Sequence, residues 1–268
     1  MENKYLGFEQ YNNLFNIFYK FIIIILFEFK KYNLKTKDII IKNFISRSIV
    51  SLKSILELWK ICDFQNCWII FRCILERLFL LRDLQDSSSY EIFDKWSFKQ
   101  QYDANNKVRN DSYFKERIDD KLFTLTEIQK ERYDSISIEK IKWKRPRAEE
   151  IAKKMDLDFL YKYGYDYAST HIHPMANDGI EDFFRLLNLP EKNNFPDQTI
   201  VIHNSFIVTK LLVQEGLNDS SFKWRAIIYN FLDDIFKYLE NKDNRVSSIL
   251  DDICKKFGSK LSERIDNI

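Results

Sequence analysis

Read from its N-terminus, the chain alternates long stretches of helical periodicity with short polar breaks. Apolar residues recur at three- and four-residue spacings over about 8–31 and 37–61, joined by the polar stretch KKYNLKTKD. That pattern predicts two long N-terminal helices. Asp63 is placed to cap a third helix over about 65–84, because its carboxylate accepts from free first-turn amides. QDSSSYE then breaks the pattern, with Ser87, Ser88 and Ser89 as candidate caps for a helix near 89–107. Residues 108–146 are more polar and less periodic, a peripheral region of short helices. RPRAEEIAKKM restarts a helix, with Pro146 tolerated in its first turn and Glu149 and Glu150 complementing its positive end.

The next helix, over about 157–171, stops near Pro174, and NDG at 177–179 marks a turn. Three more follow near 197–216, 220–242 and 245–264. In the second of these Ile227, Phe231, Ile235, Phe236 and Leu239 line one face. In the last Ile249, Leu250, Ile253, Phe257 and Leu261 do the same. No alternating strand pattern competes, so the expectation is an all-α multi-helix bundle, a single domain over 1–268.

Composition strengthens this reading. Five glycines and four prolines in 268 residues are far fewer than average usage of roughly 12% would supply, and sheet-rich folds need such residues at their turns. Lysine plus arginine number 42 and aspartate plus glutamate 40, a net charge of +2. A balance this even excludes a strong global attraction to nucleic acid or an anionic membrane and leaves only local patches. The stretch LFNIFYKFIIIILFEF, residues 14–29, imitates a membrane span. Its uninterrupted apolar core covers only Phe21 to Phe27, short of the roughly 20 residues a span needs, so a buried helix and no membrane partner are expected. Cys62, Cys67, Cys73 and Cys254 form no CxxC pair, which fits free thiols in a reducing cytoplasm.

One segment poses a chemical question. NCWIIFRCILERLFLLRDL is apolar on nearly every side, yet it carries Arg72 and Glu76. On a helix these two lie about 40° apart on one face, within reach of each other. They are therefore either buried and paired or facing a cleft, since charged residues inside are usually paired.

A second cluster is YKYGYDYASTHIHPMAND, residues 161–178. Tyr161, Tyr165, Ser169 and His173 are each four residues apart, so a continuing helix stacks them on one face. His171 and His173 would point about 160° apart on that helix, a poor chelating pair, and no further ligands of suitable geometry are evident. No metal and no cofactor are expected. His173, on the tyrosine-lined face, is the acid–base candidate. A third feature is KIKWKRPR, in which Lys140, Lys142, Lys144, Arg145 and Arg147 surround Trp143. It reads either as a phosphate-binding run whose indole stacks on a base, or as a solvated linker anchored by Trp143.

Taken together, DFQNCWIIFRCILER and the later WKRPRAEEIAKKM and YDYASTHIH resemble the bacterial family called domain of unknown function 5677. The resemblance covers about residues 40–185 and implies a core there, with C-terminal helices over about 197–264 packed on it. It implies an arginine and a glutamate one turn apart on a buried helix, a Trp-led segment, and a Tyr-x3-Ser-x3-His motif. The matching positions are Arg72, Glu76, Trp143, Tyr165, Ser169 and His173. A more distant comparison is the HEPN helical ribonucleases, whose signature sets Arg four to six residues before His on one helix. No arginine precedes His171, His173 or His203 at that spacing. An equivalent site would take Arg72 from one helix and His173 from another.

Two functions follow as expectations. One is a metal-independent RNA-cleaving effector of the phage-defence or toxin type. There Arg72 stabilises the developing phosphorane charge, His173 moves the proton, Glu76 orients Arg72, and Tyr165 and Ser169 position the substrate. RNA is then the partner. The other is a non-catalytic helical interaction or ligand-sensing module, in which the same residues form a buried polar network and the partner is a regulatory protein or a second copy of the chain.

Overall fold

The structure is a computed structural model, and it describes residues 5–30, 33–113, 126–139, 141–188, 198–223 and 225–241. These residues are all-α, with no strand among them. The chain divides into two compact units, one formed by Met1–Asp83 and Arg147–Ile268, the other by Leu84–Pro146.

In the first unit, α1 (Phe8–Lys30) and α2 (Thr36–Lys60) pack on each other, and α9 (Thr199–Asp219) packs on α2 and on α10 (Arg225–Asn241). Phe18, Phe21, Ile22 and Ile25 of α1 are fully buried. Phe21 stacks on Phe231 at 3.9 Å between ring centroids, and Phe18 meets Phe206 at 6.5 Å. α1 is long and apolar enough to cross a membrane by length and composition, but these contacts make it a core helix of the unit. Among the described residues of α10, Ile228, Phe231, Leu232, Ile235 and Leu239 face inward. The expected helix over 245–264, and Cys254 within it, lie outside the described residues.

Two devices fix how these helices meet. Asp38, 1% exposed in the first turn of α2, accepts from the Ser221 amide at 2.8 Å and the Ser221 hydroxyl at 2.9 Å. It thereby pins the α9–α10 connection to the positive end of α2. Gly216 lets α9 approach closely, because a Cβ there would lie 3.0 Å from Ile41 Cγ2 and 3.5 Å from Leu81 Cδ2.

α3 (Phe64–Ser87) follows a sharp stop. Cys62 adopts the left-handed conformation (φ 61°), which closes α2 through bonds from its amide to the Trp59 carbonyl and from the Asp63 amide to the Leu58 carbonyl. Asp63 then caps α3 as expected, accepting from the Asn66 amide at 3.3 Å. Cys62, Cys67 and Cys73 are free thiols. Cys62 is exposed, whereas burial pushes the Cys67 thiol up to about 12.

After α6 (Ala148–Lys154), α7 is continuous through Asp158–Leu160, a π-helical stretch Tyr161–Asp166, and Tyr167–Thr170. A short α8 (Ile180–Leu186) follows, entered through Gly179 at φ 76°. The second unit pairs α4 (Tyr90–Asn110) with α5 (Glu127–Ser137). Arg132 of α5 pairs with Asp94 of α4, and Tyr133 donates to Asp103 at 2.9 Å.

Candidate functional site

Where α7 crosses α3, Gly164 is the enabling residue. A Cβ at this position would lie 3.0 Å from Phe71 Cε1 and 3.1 Å from Leu75 Cδ1. This close approach brings Tyr165 onto the charged pair. Arg72 Nη2 donates to the Tyr165 hydroxyl at 3.0 Å, and that hydroxyl donates to Glu76 Oε1 at 3.1 Å. Arg72 and Glu76 themselves pair at 3.2 Å, and the Arg72 guanidinium lies 4.6 Å from the centre of the Tyr165 ring. Burial disfavours the Arg72 cation, but the hydrogen bond to Tyr165 and the charge of Glu76 outweigh it and raise its pKa.

The pair is half-buried, with side chains 21% and 36% exposed for Arg72 and Glu76. The two alternatives of a sealed pair or a cleft-facing pair therefore give way to a third, a charged pair lidded by a tyrosine. Removing one partner of a sealed pair costs about 3–5 kcal/mol, and of a surface pair under about 1 kcal/mol. Glu76→Ala should fall between these, at about 1–2 kcal/mol. Tyr165→Phe should cost about as much, since one hydroxyl serves both charges. Urea melts of the single and double variants check this, and strictly additive losses would show that the three groups are not one network.

Ser169 belongs to α7 itself, its hydroxyl donating to the Tyr165 carbonyl at 2.6 Å. His173 is not brought to the cluster. α7 ends at Thr170, the amides of His171 and Ile172 turn back to Ala168 and Ser169, and His173 lies exposed in the following bend. His173 makes no hydrogen bond or ring contact among the described residues. The residue before a proline is pushed out of the α conformation, so Pro174 withdraws His173 from the face the spacing assigned to it.

The histidine that joins α3 is His171. Its ring stacks on Trp68, one turn before Arg72, with an interplanar angle of 12° and centroids 6.4 Å apart. Tyr167 meets both rings edge-on, at 4.8 Å from Trp68 and 5.1 Å from His171. Trp68 Nε1 donates to Gln198 Oε1 at 3.0 Å. Burial lowers the His171 pKa below its ordinary 6.5, against the opposing pull of Asp178, and so favours the neutral imidazole. The i,i+4 pair Tyr167–His171 and the position of Trp68 four residues before Arg72 were the signals for this stack.

These rings form one wall of a cleft of about 630 Å³. Among the described residues that line it are Asp63, Asp178, Glu181, Asp182 and Arg185. Among the described residues no group of three or more His, Cys, Asp or Glu is arranged to hold a metal ion.

In the basic run, Trp143 is buried on Phe93 and Trp96, at 5.1 and 4.4 Å between ring centroids. Its ring is committed to the core of the second unit and offers no free face to a base. Lys142, Lys144 and Arg145 are exposed, Arg147 pairs with Glu150 at 3.7 Å, and Lys140 lies outside the described residues.

The fold and this site define an all-α protein organised on one helix that carries a charged pair and an aromatic stack. Residues 38–192, more than half of the chain, match a family of unknown function, DUF5677, and the chain belongs to that family. No curated protein and no solved structure matches it.

Proposed function

We propose that this chain is a helical binding module of the interaction or ligand-sensing type, with the Arg72–Glu76–Tyr165 network serving to hold α7 against α3. The observation that carries this reading is where the apolar surface lies. Nine of the sixteen large apolar side chains exposed among the described residues fall between Phe159 and Leu187. Three of them, Tyr167, Met175 and Ile180, line the cleft. Single exposed apolar residues are ordinary, whereas a concentration of them beside a cavity marks a binding surface.

RNA cleavage by these residues fits the geometry less well. Arg72 is engaged by Glu76 and Tyr165, and His173 stands apart from both. Among its described lining residues the neighbouring cleft sets Asp63, Asp178, Glu181 and Asp182 against Arg185, a balance that does not favour a phosphodiester.

The test has two arms. Purified protein with total RNA, with and without chelator, should give no cleavage that Arg72→Ala removes. The dye bis-ANS should bind the native protein, and Phe183→Ser with Leu187→Ser should remove most of that signal at unchanged near-UV circular dichroism. RNA cleavage lost in Arg72→Ala, or dye binding indifferent to the double change, would overturn the proposal.

A further inference from the structure

α3 carries three arginines, and two of them meet a carboxylate: Arg72 pairs with Glu76 at 3.2 Å and Arg82 with Glu215 at 3.3 Å. Arg77 is the exception. It is half-buried, and among the described residues its guanidinium makes one hydrogen bond, from Nη1 to the Ser51 hydroxyl of α2 at 3.4 Å. Arg47 stands one turn before Ser51 on the same face of α2. It is exposed, with no hydrogen bond or ion pair among the described residues. Glu76, next to Arg77 in sequence, points about 100° away around α3 and is held by Arg72 and Tyr165. Burial lowers the Arg77 pKa and the charge of Arg47 lowers it further, against the pulls of Cys73 and Glu76. An arginine cannot relieve such strain by losing its proton, so the remedy is an anion brought to it.

We propose that Arg77, Ser51 and Arg47 form a binding site for the phosphate group of a small soluble molecule, set between α3 and α2. Guanidinium forks present paired N–H donors to the oxygens of a phosphate, which is why arginine prevails where phosphate is held. Arg77 gives one of its donors to Ser51 and keeps the others for a ligand. Ser51 accepts from Arg77 and still has its own hydroxyl proton to donate to an oxyanion. Arg47 supplies a second positive charge at the exposed rim. A phosphate dianion answers both cations, whereas a carboxylate answers one. Ser51 is 3% exposed, a depth that suits a small phosphate better than the backbone of a polymer. The site uses no residue of the α8 surface, so it stands or falls independently of the binding-module reading.

The experiment combines isothermal titration calorimetry and thermal melts at constant ionic strength, with inorganic phosphate and adenosine monophosphate as probes. Inorganic phosphate should bind saturably, one per chain, and raise the thermal midpoint, because a ligand held by the folded state alone stabilises it. Arg77→Gln should weaken binding at least about 10-fold, the worth of a charged hydrogen-bond donor. Arg47→Gln, at an exposed position that leaves the fold intact, should weaken it severalfold. Without phosphate, Arg77→Gln should melt no lower than wild type, since it removes a cation that no anion meets. Arg145→Gln, an exposed change in the other unit, is the control and should leave phosphate binding as it was. Adenosine monophosphate binding at least as tightly as phosphate assigns the group to a nucleotide, and weaker binding assigns it to the free ion. Either result upholds the site. No saturable binding of either probe, or binding unchanged in both glutamine variants, would overturn the proposal. So would a single-stranded RNA that binds where both probes fail and is released by Arg47→Gln, for the site would then belong to a polymer.

Discussion

Phe21→Ala should cost the protein about 3–5 kcal/mol, the loss typical of a fully buried phenylalanine whose neighbours cannot collapse into the cavity. Phe21 is 0% exposed and lies face to face with Phe231 of α10, so its removal opens a void between two helices far apart in sequence. The same experiment separates two roles for α1. A core helix transmits the loss to the whole unit, and a urea melt followed at any probe of that unit shifts together. A helix that only anchors the chain in a bilayer would tolerate the change, and the rest of the protein would melt as before. Asn13→Ala, an exposed position of the same helix, is the control and should stay within about 0.5 kcal/mol of wild type.

The helices were legible because burial writes a 3.6-residue pattern, and that pattern survives without knowledge of partners. The first two predicted spans end within a residue of Phe8–Lys30 and Thr36–Lys60. The third extends a few residues beyond its expected end, to Ser87. The pairing of Arg72 with Glu76 was likewise readable, since four-residue spacing on a helix determines it.

The rest depends on non-local geometry. That Tyr165 closes over the pair follows from the close approach at Gly164, which no periodicity encodes. The π-helical stretch Tyr161–Asp166 has no composition signature of its own. It lies directly before the point where spacing arguments were extended to His173. Stacking His173 on that face requires an α-helix three residues longer than the one that forms. Trp143 shows the opposite limit, where an indole amid five basic residues is chosen by the core and not by the charges around it. The cleft was invisible in the sequence because its carboxylates come from Asp63, just before α3, and from 178–182, more than a hundred residues later.

Trp68→Ala should produce the second large effect, about 3–5 kcal/mol, and its pH dependence makes it a test of the aromatic stack. Trp68 is 3% exposed and holds Phe71, Tyr167 and His171 against one another while donating to Gln198. In the folded protein burial keeps the His171 pKa below 6.5, whereas in the unfolded chain the imidazole titrates near that value. Between the two values the unfolded state binds more protons, so stability is full above about 6.5 and declines as the pH falls through the folded pKa. Removing the indole returns water to the imidazole and moves its folded pKa back toward the ordinary value. The variant should therefore be less stable throughout and also less sensitive to acid over the same interval. Urea melts at about pH 7.5 and about pH 5.5, with an NMR titration of the His171 ring, measure both quantities. An unchanged His171 titration in Trp68→Ala would mean that something other than this stack desolvates the imidazole. The cleft wall would then have to be rebuilt from Tyr167 and the carboxylates alone.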